Sequence, residues 1–303
     1  DLHKAIRRQR QMCIRDRIGT HGVKMANAAV NECDVLFLVG ARVGDRAVKT
    51  PLALEKTTKI IHIDIDPAEI GKNIGADLPL VGDAKLVLQQ MTELAKPMKH
   101  DEWIAHIKTL GGERKYVEPA KGTVNPRVFI DRLAKKMPAN VTVVADVGQN
   151  QIWTCTEYKF RKEGRLLTSG GMGTMGYSVP AAIGAKMADN SRATVAICGD
   201  GAFQMSFMEL ATAVQFGVDI KVVVMTNNRL GMVRELQTNG YHDRQTAVFL
   251  DGSPDFIKLA EAYGIPAMRV YDDDTMDKGV EMLAEHKGIC LVEVVVDKDM
   301  PTL

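Results

Sequence analysis

Two short apolar runs in the second half of the chain predict neighbouring strands of one sheet. The runs are Ala193–Cys198 and Ile220–Met225, and the stretch between them carries apolar residues at helical spacing from Met205 to Phe216. Gly217 is a typical stop signal for that helix. Such a helix runs back about 18 Å, and a strand of about seven residues returns about 23 Å. The pattern predicts a strand–helix–strand unit whose strand ends share one sheet edge.

Polar residues follow both runs and form the strongest candidate site in the sequence. Gly199-Asp200-Gly201 comes after the first run, and Asn227-Asn228 comes after the second. We therefore expect Asp200 and Asn227 to lie side by side. Carboxylate and amide oxygens suit Mg²⁺, and Gly201 with the free N–H groups of the next helix suits a phosphate. The pair predicts a Mg²⁺–diphosphate site, although either half alone is more typical of an ordinary turn.

The remaining apolar pattern predicts an α/β fold with two parallel-sheet, three-layer domains. We predict one early helix at Lys24–Asn31 and strands at 35–39, 60–64, 141–145, 194–198, 220–226, 267–271 and 290–296. The predicted organisation is a non-native or disordered extension at 1–17, a first domain at 18–98, a linker at 99–122 with a helix around Trp103, and a second domain at 123–303. A glycine-rich stretch, Ser169–Gly176, precedes a helix with Ser178 as its expected N-cap and Pro180 in its first turn.

Composition excludes several classes of function. The net charge is +1 over 303 residues without a long basic stripe, which argues against nucleic-acid and membrane-surface partners. No apolar run approaches the roughly 18 residues of a membrane-spanning helix. The five cysteines show no CxxC spacing, and no secretory signal is recognisable. We therefore expect free thiols in a reducing, cytoplasmic environment.

Several motifs in register resemble one family of thiamine diphosphate enzymes. The spacing from Gly199-Asp200-Gly201 to Asn227-Asn228 resembles the thiamine diphosphate signature. Asp146–Trp153, Ser169–Tyr177 and Leu230–Val233 resemble the catalytic subunit of the acetolactate synthase family, and the likeness runs from about Ile18 to the C-terminus. The resemblance implies a bacterial cytoplasmic transferase of branched-chain amino acid biosynthesis. Such an enzyme decarboxylates pyruvate and joins the two-carbon unit to pyruvate or 2-oxobutyrate, using thiamine diphosphate, Mg²⁺ and FAD.

The resemblance also assigns residues around thiamine diphosphate. It implies Asp200, Asn227 and the backbone carbonyl of Arg229 as metal ligands. Met175 would be the apolar wedge that bends the cofactor, and the Gly173 carbonyl would accept a hydrogen bond from its aminopyrimidine. The other implied cofactor contacts are Gln149, Asn150, Thr174, Gly201, Ala202, Gly231 and Met232. The family usually has His at position 150, and we expect the Asn150 amide to replace its hydrogen bond to the diphosphate.

Further positions concern FAD and the substrates. In the first domain, which resembles part of the family's FAD-binding central domain, the implied flavin contacts are Gly40, Arg42, Asp64, Ile65 and Asp83. The two aspartates are equally typical of strand-end turns. Asp45 and Arg46 match a pair that meets the 2-oxoacid carboxylate, or they form a surface ion pair. Met175, Met232 and Leu236 would lie nearest the chemistry; many synthases have Trp at position 236, so Leu236 predicts a weaker preference for 2-oxobutyrate.

The resemblance also concerns partners and completeness. It implies a homodimer or homotetramer with active sites between subunits, and a small regulatory subunit. The Glu that activates the cofactor in the family has no match in this chain, so we expect a C-terminal fragment that is inactive alone. The alternatives are a pyruvate oxidase or decarboxylase with the same cofactor, a non-enzymatic fragment, and a Mg²⁺-dependent phosphatase built on Asp64-Ile65-Asp66 and Asp200.

Overall fold

The computed structural model describes residues 18–19, 22, 24–44, 47–48, 51–110, 116–161 and 163–302, which fall into two compact units. The first unit holds the described residues up to 110, and the second holds those from 116 onward. The helix expected around Trp103 is present and belongs to the first unit, where His106 Nε2 lies 2.6 Å from Glu32 Oε2. The predicted domain boundaries remain a prediction.

The first unit contains a three-stranded parallel sheet. Its strands are β1 (Val35–Val39), β2 (Lys59–Asp64) and β3 (Leu78–Val81), in the order β1-β2-β3. Its helices are α1 (Lys24–Glu32), α2 (Pro51–Leu54), α3 (Ala84–Leu94) and α4 (Asp101–Thr109). One face carries a core of Leu38, Val43, Leu54, Ile60 and Ile74. A three-layer arrangement of this unit stays a prediction.

The second unit contains a six-stranded sheet in which every pairing is parallel. Its strands are β4 (Thr142–Ala145), β5 (Arg165–Thr168), β6 (Thr194–Gly199), β7 (Lys221–Thr226), β8 (Ala267–Val270) and β9 (Cys290–Val295), in the order β5-β4-β6-β7-β9-β8. Its helices are α5 (Pro126–Lys136), α6 (Gln149–Glu157), α7 (Ser178–Ala188), α8 (Asp200–Gln204), α9 (Leu210–Gln215), α10 (Gly231–Gly240), α11 (Phe256–Ala262) and α12 (Asp273–Glu285).

Two apolar cores lie on opposite faces of the second sheet and make it a three-layer unit. Alternate residues of β6 enter different cores, Val195 and Ile197 into one, Ala196 and Cys198 into the other. Residues of α5 and α12 complete the first core, and residues of α7, α8 and α11 complete the second. Because β6 and β7 are buried on both faces, their sequences are almost continuously apolar. This is the signal that made them predictable.

The segment between β6 and β7 differs from the predicted single helix at Met205–Phe216. A helix starts immediately at Asp200, ends at Gln204 and is followed by a 3₁₀ turn, Phe207–Glu209, before α9. Ser206 leaves the helical conformation with φ −146°, which breaks the run. The apolar spacing persists across the break because both pieces cover the same sheet face. Strands β3 and β5 were not predicted; each has only four residues, and β3 contains Pro79.

Candidate functional site

The two polar turns expected to meet lie together at the carboxyl ends of β6 and β7. The Oδ2 atom of Asp200 accepts hydrogen bonds from the backbone N–H groups of Asn227, at 3.1 Å, and Asn228, at 2.6 Å. Its Oδ1 atom accepts from the N–H of Gly201 at 2.8 Å. One carboxylate therefore joins the start of α8 to the turn after β7. Asp200 and Asn227 lie side by side, as the lengths of the predicted strands and helix indicated.

The electrostatics of Asp200 favour a bound cation. The residue is 2% exposed, and burial raises the pKa of its carboxyl to about 6 despite three backbone hydrogen bonds. Among the described residues, no Lys, Arg or His forms an ion pair with it. A buried carboxylate without a positive partner is stabilised when a cation replaces the lost water. Together with the amide oxygen of Asn227, it offers hard oxygen ligands that fit Mg²⁺.

The residue types near Asp200 limit the kind of metal site that could form there. Across the chain, apart from the residues left undescribed, no three His, Cys, Asp or Glu side chains converge as a metal site. A cation at Asp200 would therefore use one carboxylate, amide and main-chain oxygens, and oxygens from a ligand. That mixture is typical of Mg²⁺ bound with a phosphate, since Mg²⁺ keeps few protein ligands.

The second asparagine of the motif has a backbone role. Asn228 adopts φ 54° and its side chain is exposed. The left-handed region disfavours most L-residues, whereas asparagine and glycine tolerate it. This turn directs the N–H groups of Asn227 and Asn228 towards the same oxygen of Asp200. The geometry agrees with the expectation that Asn227, rather than Asn228, is the ligand, and the assignment of that role remains a proposal.

The orientation of the Asn227 amide is fixed by its neighbours. Gln149 is buried and its Nε2 donates to the carbonyl of Met300, at 2.9 Å, and to Oγ1 of Thr302, at 3.1 Å. Gln149 Oε1 must then face Asn227, whose Nδ2 donates to it at 3.2 Å. Asn227 Oδ1 consequently faces the N–H of Arg229, at 3.0 Å, with a second lone pair left for a metal. The sequence pattern gave no sign of the contribution from Met300 and Thr302.

Asn150 does not match the expected contact with a diphosphate. Its side chain is buried, and its Nδ2 donates to the carbonyls of Asp146, at 2.9 Å, and Ile197, at 3.2 Å. Both amide hydrogens are therefore used to join the ends of β4 and β6. The remaining oxygen is an acceptor, which cannot bind an anion by hydrogen bonding. The expected hydrogen bond from Asn150 to the diphosphate stays a prediction, and it would require one of these two bonds to be given up.

The glycine-rich loop between β5 and α7 is held by its own backbone and by Asp146. Ser169 accepts from the N–H of Gly173 through its carbonyl and from the N–H of Thr174 through Oγ, both at 3.1 Å. At the other end, the fully buried Asp146 accepts from the N–H groups of Gly176, at 3.0 Å, and Ser178, at 2.8 Å.

Ser178 is not the N-cap of α7. It is the first helical residue, and its backbone N–H is satisfied by Asp146, which follows β4. Sequence reasoning missed this role of Asp146 because the acceptor stands 32 residues away rather than next to the helix. Pro180 lies in the first turn of the helix, as predicted.

An apolar group surrounds Gly201 at the same strand ends. A Cβ atom built on Gly201 would lie 2.8 Å from a methyl of Leu230, 3.2 Å from one of Leu250 and 3.3 Å from the Met175 methyl. Met175 is half-buried and packs against the core beneath α7 and α8. The structure thus places Met175 beside the Asp200 turn, as a wedge at this site requires. Leu230 and Leu250 were not among the predicted site residues.

Other predicted cofactor contacts lie on the elements that begin at these strand ends. Ala202 is buried in the core, so it offers only its backbone to a ligand. Gly231 and the half-buried Met232 start α10, where Leu236 is 61% exposed. The guanidinium of Arg229 pairs with Asp251 at 2.9 Å.

The predicted flavin residues collect at one edge of the first sheet. Gly40 and Asp83 come after β1 and β3, and Asp64 is the last residue of β2; the carboxyl ends of these strands are adjacent because the strands are parallel. Asp83 caps α3 by accepting from the N–H of Leu86, and Asp64 accepts from the N–H of Asp66, so both also act as turn residues. Arg42 is exposed, and so is Ile65. Asp45 and Arg46 lie outside the described residues.

Among the described helices, none combines the length and apolar character needed to span a membrane.

Two family models match the chain, in an order that agrees with the two units. The "Thiamine pyrophosphate enzyme, central domain" model matches residues 3–91, and the "Thiamine pyrophosphate enzyme, C-terminal TPP binding domain" model matches residues 146–294. The second match contains Asp200, Asn227 and the glycine-rich loop. The first match includes most of residues 1–17, which speaks against their being a non-native extension, although that assignment remains a prediction.

Curated relatives are acetolactate synthase subunits. The chain is 39% identical to a probable acetolactate synthase large subunit of Methanocaldococcus jannaschii over 92% of its own length and 49% of the relative. It is 36% identical to the large subunit of Lactococcus lactis, with the same coverage, and 35% identical to that of isozyme 2 of Escherichia coli, over 93% of this chain and 51% of the relative. The chain thus spans about half the length of these relatives. Two matching domain models and relatives over nearly its whole length show that the chain belongs to the thiamine pyrophosphate enzymes and is homologous to acetolactate synthase large subunits.

Proposed function

We propose that this chain forms the diphosphate-binding part of an acetolactate synthase. The observation that carries the proposal is the Asp200 carboxylate, which holds the Asn227 turn at the meeting point of two strands. Asp200, Asn227 and the carbonyl of Arg229 would hold Mg²⁺, and the Mg²⁺ would in turn bind the diphosphate oxygens. The relatives named above are acetolactate synthase subunits, which favours this activity over the pyruvate oxidase, decarboxylase and phosphatase alternatives.

The residues of this chain would bind and orient the cofactor. When bound, thiamine diphosphate supplies the carbanion chemistry needed to decarboxylate a 2-oxoacid and form a carbon–carbon bond. Met175, Leu230 and Leu250 form an apolar group beside the Asp200 turn, against which the apolar part of the cofactor would pack. The substrates in this proposal are pyruvate and a second 2-oxoacid, either pyruvate or 2-oxobutyrate.

Binding of Mg²⁺–thiamine diphosphate to the purified chain tests the proposal. Calorimetric titration should show saturable binding that needs Mg²⁺ and falls at least about tenfold in Asp200→Ala, since a metal ligand is lost. Asp277→Ala is the matched control, because that exposed carboxylate pairs with Arg132 on α5 and with none of the proposed metal ligands. No binding by the native chain at millimolar cofactor, or equal binding by Asp200→Ala, would contradict the proposal. We expect no acetolactate from pyruvate by the chain alone.

We infer a flavin contact for the first unit as a separate proposal. It is supported by the adjacent strand ends that carry Gly40, Asp64 and Asp83. When FAD is mixed with the chain and passed through a desalting column, the visible absorbance of FAD should elute with the protein. Less FAD should elute with Arg42→Ala, because Arg42 is exposed after β1 and its guanidinium suits a phosphate. Elution of all FAD in the small-molecule fraction would count against it.

Assembly is also proposed from the relatives. A homodimer or homotetramer and a small regulatory subunit accord with names such as "large subunit" among the relatives. Light scattering of the purified chain tests self-association, and a monomer at all concentrations would oppose it. The cytoplasmic location stays a prediction.

A further inference from the structure

Asp146 is a buried acid that the proposed metal site does not use. It is 0% exposed, and both carboxylate oxygens accept backbone hydrogen bonds. Oδ1 accepts from Val147 at 2.9 Å and from Gly176 at 3.0 Å, and Oδ2 accepts from Ser178 at 2.8 Å. In the described part of the chain, no basic side chain forms an ion pair with it. Burying an acid is costly, so its three N–H partners must be what stabilises it here.

The partners of Asp146 close the glycine-rich loop. Gly176 and Ser178 are where the loop ends and α7 begins, immediately after the stretch that carries Gly173 and Met175. Gly176 has φ 81°, and a Cβ there would lie 3.0 Å from the Met205 Cβ. The loop end is therefore fixed on two sides, by packing against the segment after α8 and by hydrogen bonds to Asp146.

The position of Asp146 relates the loop to the metal site. It follows β4, which pairs in parallel with β6, and its backbone N–H donates to the carbonyl of Ile197 at 2.8 Å. Asp200 follows β6 in the same way, and Asn227 follows β7. Each of these three adjacent strands is thus followed by a polar residue whose side chain accepts backbone hydrogen bonds. Asp146 holds the glycine-rich loop, and Asp200 and Asn227 hold the turn after β7.

We propose that Asp146 is a positioning residue for the ring end of the cofactor. It holds the loop so that Met175 and Gly173 face the site, while Asp200 and Asn227 serve the diphosphate end. This inference rests on the proposed function. An amide cannot replace the carboxylate, because Asn has one acceptor oxygen and would turn its NH₂ group towards the N–H of Gly176 or Ser178. The proposal therefore predicts a selective loss of affinity for the ring, with the diphosphate contacts left intact.

Two probes separate the two ends of the ligand. Asp146→Asn should bind Mg²⁺–thiamine diphosphate about tenfold more weakly than the native chain, as loss of one hydrogen bond to a charged group implies. Its affinity for Mg²⁺ with inorganic diphosphate should stay within about twofold, since the proposed ligands of that probe are Asp200, Asn227 and the Arg229 carbonyl, none of which Asp146 holds. Asp272→Asn is the matched control, because Asp272 also accepts a backbone N–H, from Thr275 at the start of α12. The control should match the native chain with both probes.

Amide hydrogen exchange without ligand gives a readout that does not depend on affinity. Peptides covering residues 169–178 should exchange at least about tenfold faster in Asp146→Asn, and peptides covering β7 should be unchanged. Unchanged loop exchange, or an equal loss of affinity for both probes, would overturn the inference and leave the proposed function standing. A native chain that binds neither probe would overturn the proposed function itself. If inorganic diphosphate binds too weakly to measure, thiamine diphosphate affinity and loop exchange together decide.

Discussion

Gly231→Ala tests whether the close contact between α10 and Gln149 organises the metal site. A Cβ at position 231 would lie 1.9 Å from Gln149 Oε1 and 2.5 Å from its Cδ. Gln149 is 4% exposed and hydrogen-bonded to Met300, Thr302 and Asn227, so it can move only by giving up some of these bonds. The substitution must therefore push Gln149 away and break hydrogen bonds that orient the Asn227 amide.

The effect of Gly231→Ala on the free energy of unfolding is the sum of two destabilising contributions and one stabilising contribution. Losing two hydrogen bonds costs about 1–3 kcal/mol, and overpacking a filled site costs about 1–3 kcal/mol. Alanine in place of glycine in a helix returns about 0.5–1 kcal/mol. We expect the free energy of unfolding of the second unit to fall by about 1–5 kcal/mol. Affinity for Mg²⁺–thiamine diphosphate should fall at least about tenfold, because Asn227 loses its fixed orientation.

The assay is urea unfolding followed by tryptophan fluorescence in a Trp103→Phe background. The chain has two tryptophans, so Trp153, which is 1% exposed in the second unit, would then report alone. Gly184→Ala is the control: it is a helical glycine whose added Cβ meets nothing within 4 Å, and it should stabilise the unit by about 0.5–1 kcal/mol. If Gly231→Ala proves as stable as Gly184→Ala and binds the cofactor normally, the steric reasoning is refuted.

Four further outcomes are expected. In the same urea assay, Asn228→Ala should lower the free energy of unfolding by about 1 kcal/mol, because residue 228 has φ 54°. Asn228→Gly should change it by less than about 0.5 kcal/mol, and equal effects of the two variants would argue against backbone strain. Burial raises the pKa of the Cys290 thiol from 9.0 to about 11, so this thiol ionises at lower pH in the unfolded chain than in the folded one. The free energy of unfolding should therefore fall by about 2–3 kcal/mol between pH 9 and 11. Cys290→Ala should show a correspondingly shallower pH dependence, and parallel curves would refute this. In a complete synthase carrying this sequence, Leu236→Trp should raise the preference for 2-oxobutyrate over pyruvate by roughly 10–100-fold in competition, and no change would count against a substrate role for Leu236. Removing residues 299–303 should weaken Mg²⁺–thiamine diphosphate binding at least about tenfold through Gln149; unchanged affinity would contradict that link.

The features of the fold that could be predicted from the sequence are those that depend on the local spacing of apolar residues. Strands β6 and β7 and the meeting of Asp200 with Asn227 were predictable, because fully buried parallel strands have continuous apolar runs and known lengths. The capping of α7 by Asp146 and the support of Asn227 by Met300 and Thr302 were not. Those contacts join residues far apart in the chain, and no pattern within a short window encodes which distant partner is chosen.

The contacts of Gln149 also constrain when the site can form during synthesis. Its partners at Met300 and Thr302 lie 151 and 153 residues further along the chain. A growing polypeptide can pair β4 with β6 and close the Asp200 turn well before those residues leave the ribosome, but the Asn227 amide lacks its final support until they do. Contacts of such long sequence separation also slow folding, because a large loop must close first. The geometry of the proposed metal site is therefore among the last features of the second unit to be completed. A cofactor present during translation would meet an incomplete site until β9 and the segment that holds Met300 and Thr302 have docked.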